Sequence, residues 1–431
     1  MYEMDRAEVL AKQSKYLTGI SNYYQDPVVL VRGDGKYLYD SEDREYLDFF
    51  GGILTVSVGH CNPKVNKRIH EQVDTLQHVS TLYPTIPMVE LAEKLAEITP
   101  GNLQKSFFTN SGTEADEMAV LLAQVYTGRS EVIAFRHGYH GRSQLAMSLT
   151  AHSPWRNGPT PVPGIKHAHN AYCYRCPFGL TYPSCDLRCA KDVEELIQTT
   201  TSGEIAAVLS EPIQGVGGFI TPPPGYFQEV QRIVKQYGGL FISDEVQTGW
   251  GRTGKYMFGI SHWGVEPDIM TSAKGMANGA PIGWTITTPE VAESFKGLTI
   301  STFGGNPVSM SAALGTLEVI QEENLVDNAE KVGNLLMDGL AELQKSHPMV
   351  GDVRGKGLMI GVEFVRDNKE PAPALTAAFL EATKKRGLLL GKGGLYGNVV
   401  RVVPGLNITP SDVTDALKII EESLQEISVT I

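Results

Sequence analysis

Residues 244–254 read DEVQTGWGRTG, and the three glycines of this stretch match the pattern G-x-G-x-x-G. The apolar residues GGLFIS come directly before it and predict a buried strand. In a dinucleotide-binding turn the third glycine opens a helix whose N–H groups receive the pyrophosphate. The residues after Gly254, KYMFGISHWGVEPD, lack helical apolar spacing and contain a proline. The glycines therefore need another explanation, as do the carboxylates of Asp244 and Glu245 at the strand end.

The sequence on both sides of this stretch predicts an α/β domain. The segments EVIAF, AAVLSEPI, LFISDEV and DIMTSAK are mostly apolar, as expected for parallel strands that are covered on both faces. The segment FFTNSGTEADEMAVLLAQVYTG predicts a strand end, a Ser-Gly-Thr turn and a helix. One face of that helix carries Ala115, Met118, Ala119, Leu122 and Tyr126.

The two ends of the chain predict a second, smaller domain. Residues 28–50 alternate apolar and polar positions around turn signals, which is typical of an antiparallel meander. The segments GLMIGVEFV and NVVRVVP, together with helical patterns, indicate an α+β part beyond about residue 320. We predict a large domain at residues 61–315 and a smaller α+β domain that combines residues 1–60 with residues 316–431. A chain of 431 residues exceeds the roughly 100–200 residues of one domain.

Composition and charge exclude several classes of partner. Hydrophobic residues make up 42% of the chain and charged residues 20%, as in soluble globular proteins. The formal net charge of -12 argues against a nucleic-acid or anionic-membrane surface and favours small-molecule partners. The first residues, MYEMDRAEVLAKQSKYL, are charged and unlike a signal peptide, and no stretch approaches a membrane span. A cytoplasmic enzyme is expected.

Four of the five cysteines lie within a Pro- and Cys-rich connection at about residues 151–190. Such a long connection predicts a functional or interface loop. The cysteines are Cys173, Cys176, Cys185 and Cys189, and their C-x2-C and C-x3-C spacing resembles a tetrathiolate metal site with a short internal gap. Four reduced thiols in a surface loop fit the same residues. No metal is assigned from the sequence.

Three features at predicted strand ends point to one cofactor. Asp244 ends a strand, Lys274 ends the next strand before the turn GMANG, and residues 111–113 form the Ser-Gly-Thr turn at a helix start. Ligand sites in open α/β sheets lie at the carboxyl ends of strands. A carboxylate for the pyridine nitrogen, an amine for a Schiff base and helix N–H groups for a phosphate are what pyridoxal phosphate requires.

The motifs SGTEA, FRHGYHGRS, SEPIQGVGG, DEVQTGWGRTG, SAKG and TFGGNP, in this order, resemble the class III aminotransferases of the fold type I pyridoxal-phosphate enzymes. The segments YLDFFGGILTVSVGHCNPKVN and GDVRGKGLMIGVEF are similar to the type-two alanine:glyoxylate aminotransferases, and YHGRS to the 4-aminobutyrate and acetylornithine branch. The resemblance implies a large domain with a mostly parallel, seven-stranded-type sheet between helices. It also places the opening glycines in the turn after the cofactor's aspartate.

The resemblance implies a role for each matching residue. Lys274 and Asp244 would be catalytic: Lys274 as the Schiff-base lysine and proton shuttle, and Asp244 as the partner of the pyridine nitrogen. His140 would lie near the ring or pack behind it. Thr302 would reach the phosphate from the neighbouring subunit, so that the site forms in a homodimer or a dimer of dimers. The other expected cofactor contacts are Ser111, Gly112 and Thr113 at the phosphate, Tyr139 and Val246 on the ring faces, Gln247 at the ring hydroxyl, and Glu211.

Substrate recognition is implied by two matched positions. Arg401 would bind the α-carboxylate of the acceptor and pair with Glu211 when the donor has no carboxylate there. Arg142 would anchor a distal carboxylate, and Ile53 and Leu82 would line the substrate pocket. The resemblance favours short ω-amino acids such as β-alanine or 4-aminobutyrate, or alanine, as donors. Pyruvate, glyoxylate or 2-oxoglutarate would be the acceptor in a ping-pong transamination.

The same motifs leave other activities open. A racemase or epimerase, or a phospholyase acting on an amino-alcohol phosphate, would also use Lys274 and Asp244, because a motif establishes cofactor chemistry better than reaction outcome. A non-catalytic cofactor-binding protein is disfavoured because the lysine is present. A nicotinamide oxidoreductase is disfavoured because no helix follows Gly254.

Overall fold

The computed structural model describes residues 4–19, 22–158 and 162–428. In chain order, helices α1 to α13 span Arg6–Tyr16, Gly51–Leu54, Pro63–Thr75, Ile86–Ile98, Gly112–Thr127, Gln144–Leu149, Arg188–Thr200, Tyr226–Gln236, Pro289–Ser294, Pro307–Glu322, Leu325–Ser346, Pro373–Lys385 and Pro410–Ser428. Strands β1 to β15 span Leu30–Asp34, Tyr37–Asp40, Glu45–Asp48, Lys105–Thr109, Val132–Phe135, Ile165–Ala168, Ala207–Ser210, Leu240–Asp244, Ile269–Ala273, Gly283–Thr287, Val350–Lys356, Met359–Phe364, Leu388–Leu389, Gly391–Gly393 and Val399–Val402.

A seven-stranded sheet forms the centre of the molecule. Its strand order is β4-β10-β9-β8-β7-β5-β6, and β10 alone runs antiparallel to its neighbours among these strands. Every residue of β5, β7, β8 and β9 is buried, because helices cover both faces of the sheet. The predicted α/β class with a mostly parallel sheet is confirmed.

Helix α5 begins at the carboxyl edge of this sheet and is well specified by its sequence. Ser111 caps its N-terminus by accepting the N–H of Glu114, and Gly128 ends it with a φ of +68°. Its buried face packs on the sheet through residues such as Ala115 and Ala119. The free N–H groups at the start of α5 therefore face the strand ends.

The N-terminal meander and the C-terminal part of the chain share a sheet. Strands β1, β2 and β3 pair antiparallel as predicted, and β13 adds parallel to β3 with Leu388 opposite Leu47. A second sheet, in the order β11-β12-β15-β14, is formed by the C-terminal part. This arrangement agrees with one smaller unit built from both chain ends, although the predicted domain boundaries themselves stay predictions.

The connection at 151–190 is more regular than the sequence predicts. It contains β6 (Ile165–Ala168), which pairs parallel with β5 at the edge of the large sheet, and it reaches the start of α7 at Arg188. Residues 159–161 lie outside the described residues. The strand was missed because an edge strand is short and less buried, and IKHA offers two polar residues among four.

The stretch after Asp244 makes no crossover helix. A short 3-10 helix, Gly259–Trp263, follows it instead. Gly254 has a φ of +69°, and a Cβ there would lie 2.7 Å from the Cα of Glu330 in α11. Arg252 also exchanges backbone and side-chain hydrogen bonds with Leu358. These glycines therefore serve a tight turn that packs against the C-terminal part. Among the described helices, none combines the length and apolar composition needed to cross a membrane.

Candidate functional site

The carboxyl ends of three neighbouring strands bring together three titratable side chains. Asp244 is the last residue of β8, Lys274 follows β9 and Glu211 follows β7. Because β7, β8 and β9 run parallel and adjacent, these residues share one edge of the sheet. The edge is where open α/β sheets bind ligands.

A cavity of about 310 Å³ lies at this edge. Ten of the predicted site residues line it: Ser111, Gly112, Thr113, Tyr139, His140, Glu211, Asp244, Val246, Gln247 and Lys274. The size is that of a typical small-molecule pocket. The residues come from five separate stretches of the chain, so the fold alone assembles them.

One end of the cavity is suited to an anion. The N–H groups of Gly112 and Thr113 open α5 and have no hydrogen-bond acceptor in the described part of the chain. A Cβ at Gly112 would lie 3.0 Å from Cγ2 of Val246, so glycine lets the helix start approach the opposite wall closely. Free helix N–H groups at a cavity wall can bind a phosphate.

The other end of the cavity holds Asp244. Its Oδ1 accepts the N–H of Val246 at 3.0 Å, and its Oδ2 lies 2.7 Å from Nδ1 of His140. The backbone N–H of His140 is in turn held by the hydroxyl of Thr150. These contacts orient a buried carboxylate toward the cavity, and they place His140 against the carboxylate, in contact with the cavity.

Asp116 belongs to the same end and was missed in the sequence. It is 1% exposed and accepts a hydrogen bond from the Thr271 hydroxyl at 2.7 Å. The nearest ligating atoms of Asp116, His140 and Asp244 all lie within 4.8 Å of one another. Burial, followed by the charge of Asp244, raises the pKa of Asp116 well above its ordinary value. The available signal was a carboxylate on the apolar face of α5, one residue after Ala115.

Glu245 stabilises the turn that follows strand β8. Its carboxylate accepts the N–H groups of Gly259 at 2.8 Å and Ile260 at 2.7 Å, and the hydroxyl of Thr248. Burial raises the pKa of Glu245 to about 6. The second carboxylate of the opening stretch therefore holds the turn together, while the first faces the cavity.

Lys274 and Glu211 have shifted pKa values for the same reason. Burial lowers the pKa of the Lys274 amine, although Asp244 and Glu211 oppose the shift. Burial also raises the pKa of Glu211 to about 7, although nearby groups lower it in part. Glu211 accepts the N–H of Tyr139 at 3.0 Å and of Gly215 at 2.7 Å. A lysine with a lowered pKa is a better proton acceptor near neutral pH.

The residues that line the cavity are those that pyridoxal phosphate requires. It provides an amine at Lys274, a hydrogen-bonded carboxylate at Asp244 and free helix N–H groups at Gly112 and Thr113. Gln247 adds a buried Oε1 that has no hydrogen-bond partner among the described residues. A Cβ at Gly215 would lie 2.2 Å from that oxygen, so glycine leaves room for Gln247.

Arg401 lies outside the cavity wall but near it. The side chain is buried, and its Nη2 donates to the Tyr23 hydroxyl at 3.2 Å. Its Nε and Nη1 have no hydrogen-bond partner in the described part of the chain. The guanidinium lies over the Phe50 ring, 4.9 Å from its centroid. No ion pair joins Arg401 to Glu211 in the described structure, and the oxygens of Glu211 are bound to backbone N–H groups instead.

The remaining predicted residues are exposed in the single chain. Ile53, Leu82, Arg142 and Thr302 do not line the cavity. Ile53 has a φ of +68°, a strained conformation for a β-branched residue. Residues that contribute to the site of a second copy of the chain would be exposed in a single chain.

The four clustered cysteines surround a second, small cavity of about 20 Å³. All of them are free thiols. No three of their sulfur atoms lie within 4.8 Å of one another in the described structure. Burial raises the pKa of Cys189 to about 12, which favours its neutral thiol form. The spacing thus brings the cysteines together without arranging them as ligands of one ion.

Comparisons with known proteins agree with this geometry. The family described as Aminotransferase class-III matches residues 20–424. The chain is 42% identical to alanine–glyoxylate aminotransferase 2 homolog 2, mitochondrial, of Arabidopsis thaliana, over 97% of this chain and 87% of the relative. It is 36% identical to a leucine/methionine racemase of Thermococcus litoralis, over 98% and 96%. A PLP-bound amine transaminase from an uncultivated Pseudomonas species superposes with a TM-score of 0.89 at 30% identity, covering 96% of this chain and 98% of that one.

Proposed function

Because the chain belongs to the class III aminotransferases, enzymes of pyridoxal-phosphate-dependent transamination, we propose that it transfers the amino group of alanine or a short ω-amino acid to a small 2-oxo acid. The proposed donors are β-alanine, 4-aminobutyrate and alanine, and the proposed acceptors are pyruvate, glyoxylate and 2-oxoglutarate. The observation that carries this choice is the buried guanidinium of Arg401, which has two nitrogens free to bind a carboxylate.

The comparisons confirm the enzyme class and the cofactor that the motifs predict. Transamination, pyridoxal phosphate and the resemblance to type-two alanine:glyoxylate aminotransferases all hold. The roles of individual residues, the homodimer and the cytoplasmic location stay predictions. The name of the Arabidopsis relative includes "mitochondrial", which is a statement about that protein.

Lys274 is assigned to the proton transfers. When bound, pyridoxal phosphate supplies an aldehyde that exchanges amino groups and a ring that accepts electrons. The Lys274 amine would hold the cofactor covalently until the substrate amine displaces it. The freed amine would then take the proton from the α-carbon of the amino donor and pass it to the cofactor within the same half-reaction, and the second half-reaction would reverse these transfers. The lowered pKa of this amine, caused by burial, increases its neutral fraction at physiological pH.

Asp244 and the helix start are assigned to positioning the cofactor. Asp244 would hold a proton at the ring nitrogen, and the hydrogen bonds that it accepts from His140 and Val246 keep the carboxylate oriented. The Ser-Gly-Thr turn would bind the phosphate through N–H groups and hydroxyls. Tyr139 and Val246, which line the cavity, would contact the ring, and the unpaired Oε1 of Gln247 would accept the ring hydroxyl.

Arg401 is assigned to the carboxylate of the acceptor. Its guanidinium is buried among Tyr23, Phe50 and Phe219, where an ionic hydrogen bond is strong. Glu211 is close enough to influence the pKa of Arg401 without forming an ion pair with it. The predicted pairing with Glu211 for donors that lack a carboxylate would require the Glu211 side chain to leave its backbone partners.

Arg142, Ile53 and Leu82 are assigned to the entrance of the site. Arg142 is exposed. Burial raises the pKa of Tyr139 and the positive charge of Arg142 opposes that rise, which supports a position of Arg142 near the mouth of the cavity. It would bind the distal carboxylate of an ω-amino acid. Ile53 and Leu82 expose apolar side chains and would contact the substrate chain when a second copy closes the site.

Thr302 is the predicted contribution of the second copy. It is exposed and does not line the cavity of its own chain. We expect a homodimer, or a dimer of dimers, in which Thr302 reaches the phosphate site of the other copy. Thr299→Val is the matched control, because Thr299 is an exposed threonine of the same segment. Sedimentation as a dimer, with weaker cofactor binding by Thr302→Val and unchanged binding by the control, would agree with this assignment.

The experiment is a panel of half-reactions followed by the absorbance of the bound cofactor. We expect amino transfer from β-alanine, 4-aminobutyrate and alanine without any acceptor, and the reverse change with pyruvate or glyoxylate. Arg401→Ala should lower kcat/KM for the acceptor by about 30- to 1000-fold, or about 2–4 kcal/mol. Arg142→Ala should lower kcat/KM for ω-amino acids and spare simple amines. If Arg401→Ala leaves kcat/KM for the acceptor unchanged but lowers kcat/KM for amine donors, the assignments of Arg401 and Arg142 are both wrong.

A racemase is the second candidate, because one relative carries that name. It would convert an L-amino acid to its enantiomer continuously, with no oxo acid present. A transaminase stops after one amino transfer per cofactor under the same conditions. Chiral analysis of the amino acid after many turnovers without acceptor separates the two activities.

A further inference from the structure

Asp116 lines the same cavity as Asp244, the carboxylate assigned to the ring nitrogen. It is the fifth residue of α5, and its Oδ2 lies 3.8 Å from Nδ1 of His140. The same nitrogen lies 2.7 Å from Oδ2 of Asp244. Asp116, His140 and Asp244 are each no more than 3% exposed. Two carboxyl groups and one imidazole therefore share a site that is almost closed to water.

Two carboxyl groups this close and this buried do not both ionise, because two negative charges in one closed site repel each other. The hydrogen bonds decide which one holds the proton. Asp244 receives the Val246 N–H and the His140 ring N–H, whereas Asp116 receives the Thr271 hydroxyl. The negative charge is better stabilised on Asp244, so the proton belongs to Asp116.

The charged groups around the cluster agree with this distribution. The pKa of Asp116 is raised well above its ordinary value, by burial first and by Asp244 second, and Glu211 adds to the rise. Lys274 faces the same cluster: burial lowers the pKa of its amine, and Asp244 opposes that shift. His140 contacts both carboxyl groups.

The same three side chains could serve as ligands of a metal ion. The separation of 2.7 Å between His140 Nδ1 and Asp244 Oδ2 is a hydrogen-bond distance, so a proton occupies the space between the two atoms. Asp116 Oδ1 is bound to the Thr271 hydroxyl. The cluster is a hydrogen-bonded one.

We propose that Asp116 is a neutral carboxylic acid in the folded enzyme and donates a hydrogen bond from Oδ2 to Asp244. In this role it is a positioning residue, which keeps the Asp244 carboxylate directed at the ring nitrogen. The inference rests on the proposed assignment of Asp244 to that nitrogen. It goes beyond the assignment by placing a second, protonated carboxyl group beside it.

Three substitutions separate a neutral donor from a charge or from simple packing. Asp116→Asn keeps the shape, an oxygen for the Thr271 hydroxyl and an N–H donor for Asp244. Asp116→Leu keeps the branched side chain and removes the donor, and Asp116→Ala removes it as well, so that either suffices if the other does not fold. Thr285→Val is the matched control, because Thr285 donates to the Ala115 carbonyl of the same helix at 2.8 Å and does not contact the cluster.

The measurement is the dissociation constant of pyridoxal phosphate for the apoprotein as a function of pH. Asp116→Asn and Thr285→Val should stay within about 3-fold of the wild type. Asp116→Leu should bind about 10- to 100-fold more weakly, as expected for losing a hydrogen bond to a charged group. The pH dependence of its affinity should also differ from that of the wild type and of Asp116→Asn, because both of these keep a hydrogen-bond donor to Asp244.

Two results would overturn the proposal. Binding by Asp116→Asn that is as weak as by Asp116→Leu would show that a negative charge is needed. Wild-type binding and pH dependence in Asp116→Leu would show that Asp116 merely fills space. Asp244→Asn, measured in parallel, tests the assignment beneath it. If Asp244→Asn binds pyridoxal phosphate with wild-type affinity, the assignment of Asp244 and the role of Asp116 are both wrong. If Asp244→Asn binds weakly and Asp116→Leu binds like the wild type, only the role of Asp116 is wrong.

Discussion

Nδ1 of His140 lies 2.7 Å from Oδ2 of Asp244, and both residues line the cavity that the start of α5 also lines. The imidazole thus fixes one oxygen of a carboxylate that faces the cavity. A group held in this way can keep a proton on a ring nitrogen without moving during the reaction.

Asp244→Asn should therefore slow the proton transfer at the substrate far more than it disturbs the fold. The amide keeps the shape of the side chain but removes the charge that retains the proton on the ring nitrogen. We expect single-turnover rates to fall by about 10²- to 10⁴-fold. Asp268→Asn is a matched control, because Asp268 binds the Phe241 N–H at the opposite end of the same strands. Unchanged rates in Asp244→Asn would contradict its role.

Lys274→Ala should abolish transamination and leave cofactor binding partly intact, because the phosphate and ring contacts come from other residues. The absorbance of covalently held cofactor should disappear, whereas the circular dichroism of the protein should not change. Lys356→Ala provides a comparison, since Lys356 is another partly buried lysine and lies over the Trp263 ring. Near-normal turnover by Lys274→Ala would remove this lysine from the mechanism.

Glu211 should make the stability of the apoprotein depend on pH. Its pKa is raised to about 7 in the folded state, mainly by burial, so the folded protein binds its proton more tightly than the unfolded chain. Its contribution to stability is complete below the ordinary carboxyl pKa and is lost as the pH rises toward 7. The unfolding free energy of the wild type, minus that of Glu211→Gln, should fall by about 1.4 kcal/mol per pH unit in this range.

Urea unfolding at several pH values measures this difference. Glu245→Gln is the comparison. The pKa of Glu245 is raised to about 6, so the contribution of Glu245 to stability should be lost about one pH unit below that of Glu211. A difference that is constant between pH 5 and 7 for Glu211→Gln would show that Glu211 is ionised in the apoprotein.

The cysteine cluster is expected to hold no stoichiometric metal. Tetrahedral thiolate sites need four sulfur atoms around one ion at about 2.3 Å. Here no three of the sulfur atoms lie within 4.8 Å of one another in the described structure. Metal analysis of protein purified without chelator should give well below one zinc or iron per chain. One metal per chain, lost from the quadruple Cys→Ser variant, would contradict this expectation.

The strands that carry the site were predictable because burial on both faces gives them continuous apolar sequences. The edge strand β6 was not, because half-exposed residues such as Lys166 and His167 resemble those of a loop. Sequence patterns describe the environment of a segment, and the edge of a sheet has an environment close to that of a surface connection.

The location of Lys274 and Asp244 at the cavity was predictable, because each lies at the end of a strand and matches a motif, whereas their roles stay predictions. Asp116 was not, because a carboxylate in a helix usually points to solvent, and only the packing of α5 on β9 turns it toward Asp244. The unpaired nitrogens of Arg401 depend likewise on which side chains surround them in three dimensions.

The close packing of Gly254 against Glu330 has a consequence for protein engineering. The turn that begins at Asp244 is held by the C-terminal part of the chain, through this contact and through Arg252 and Leu358. A chimaera that takes residues 316–431 from a relative would give this turn a foreign neighbour and shift the wall of the cofactor cavity. Exchanges intended to alter substrate choice should therefore transfer residues 249–258 together with the C-terminal part.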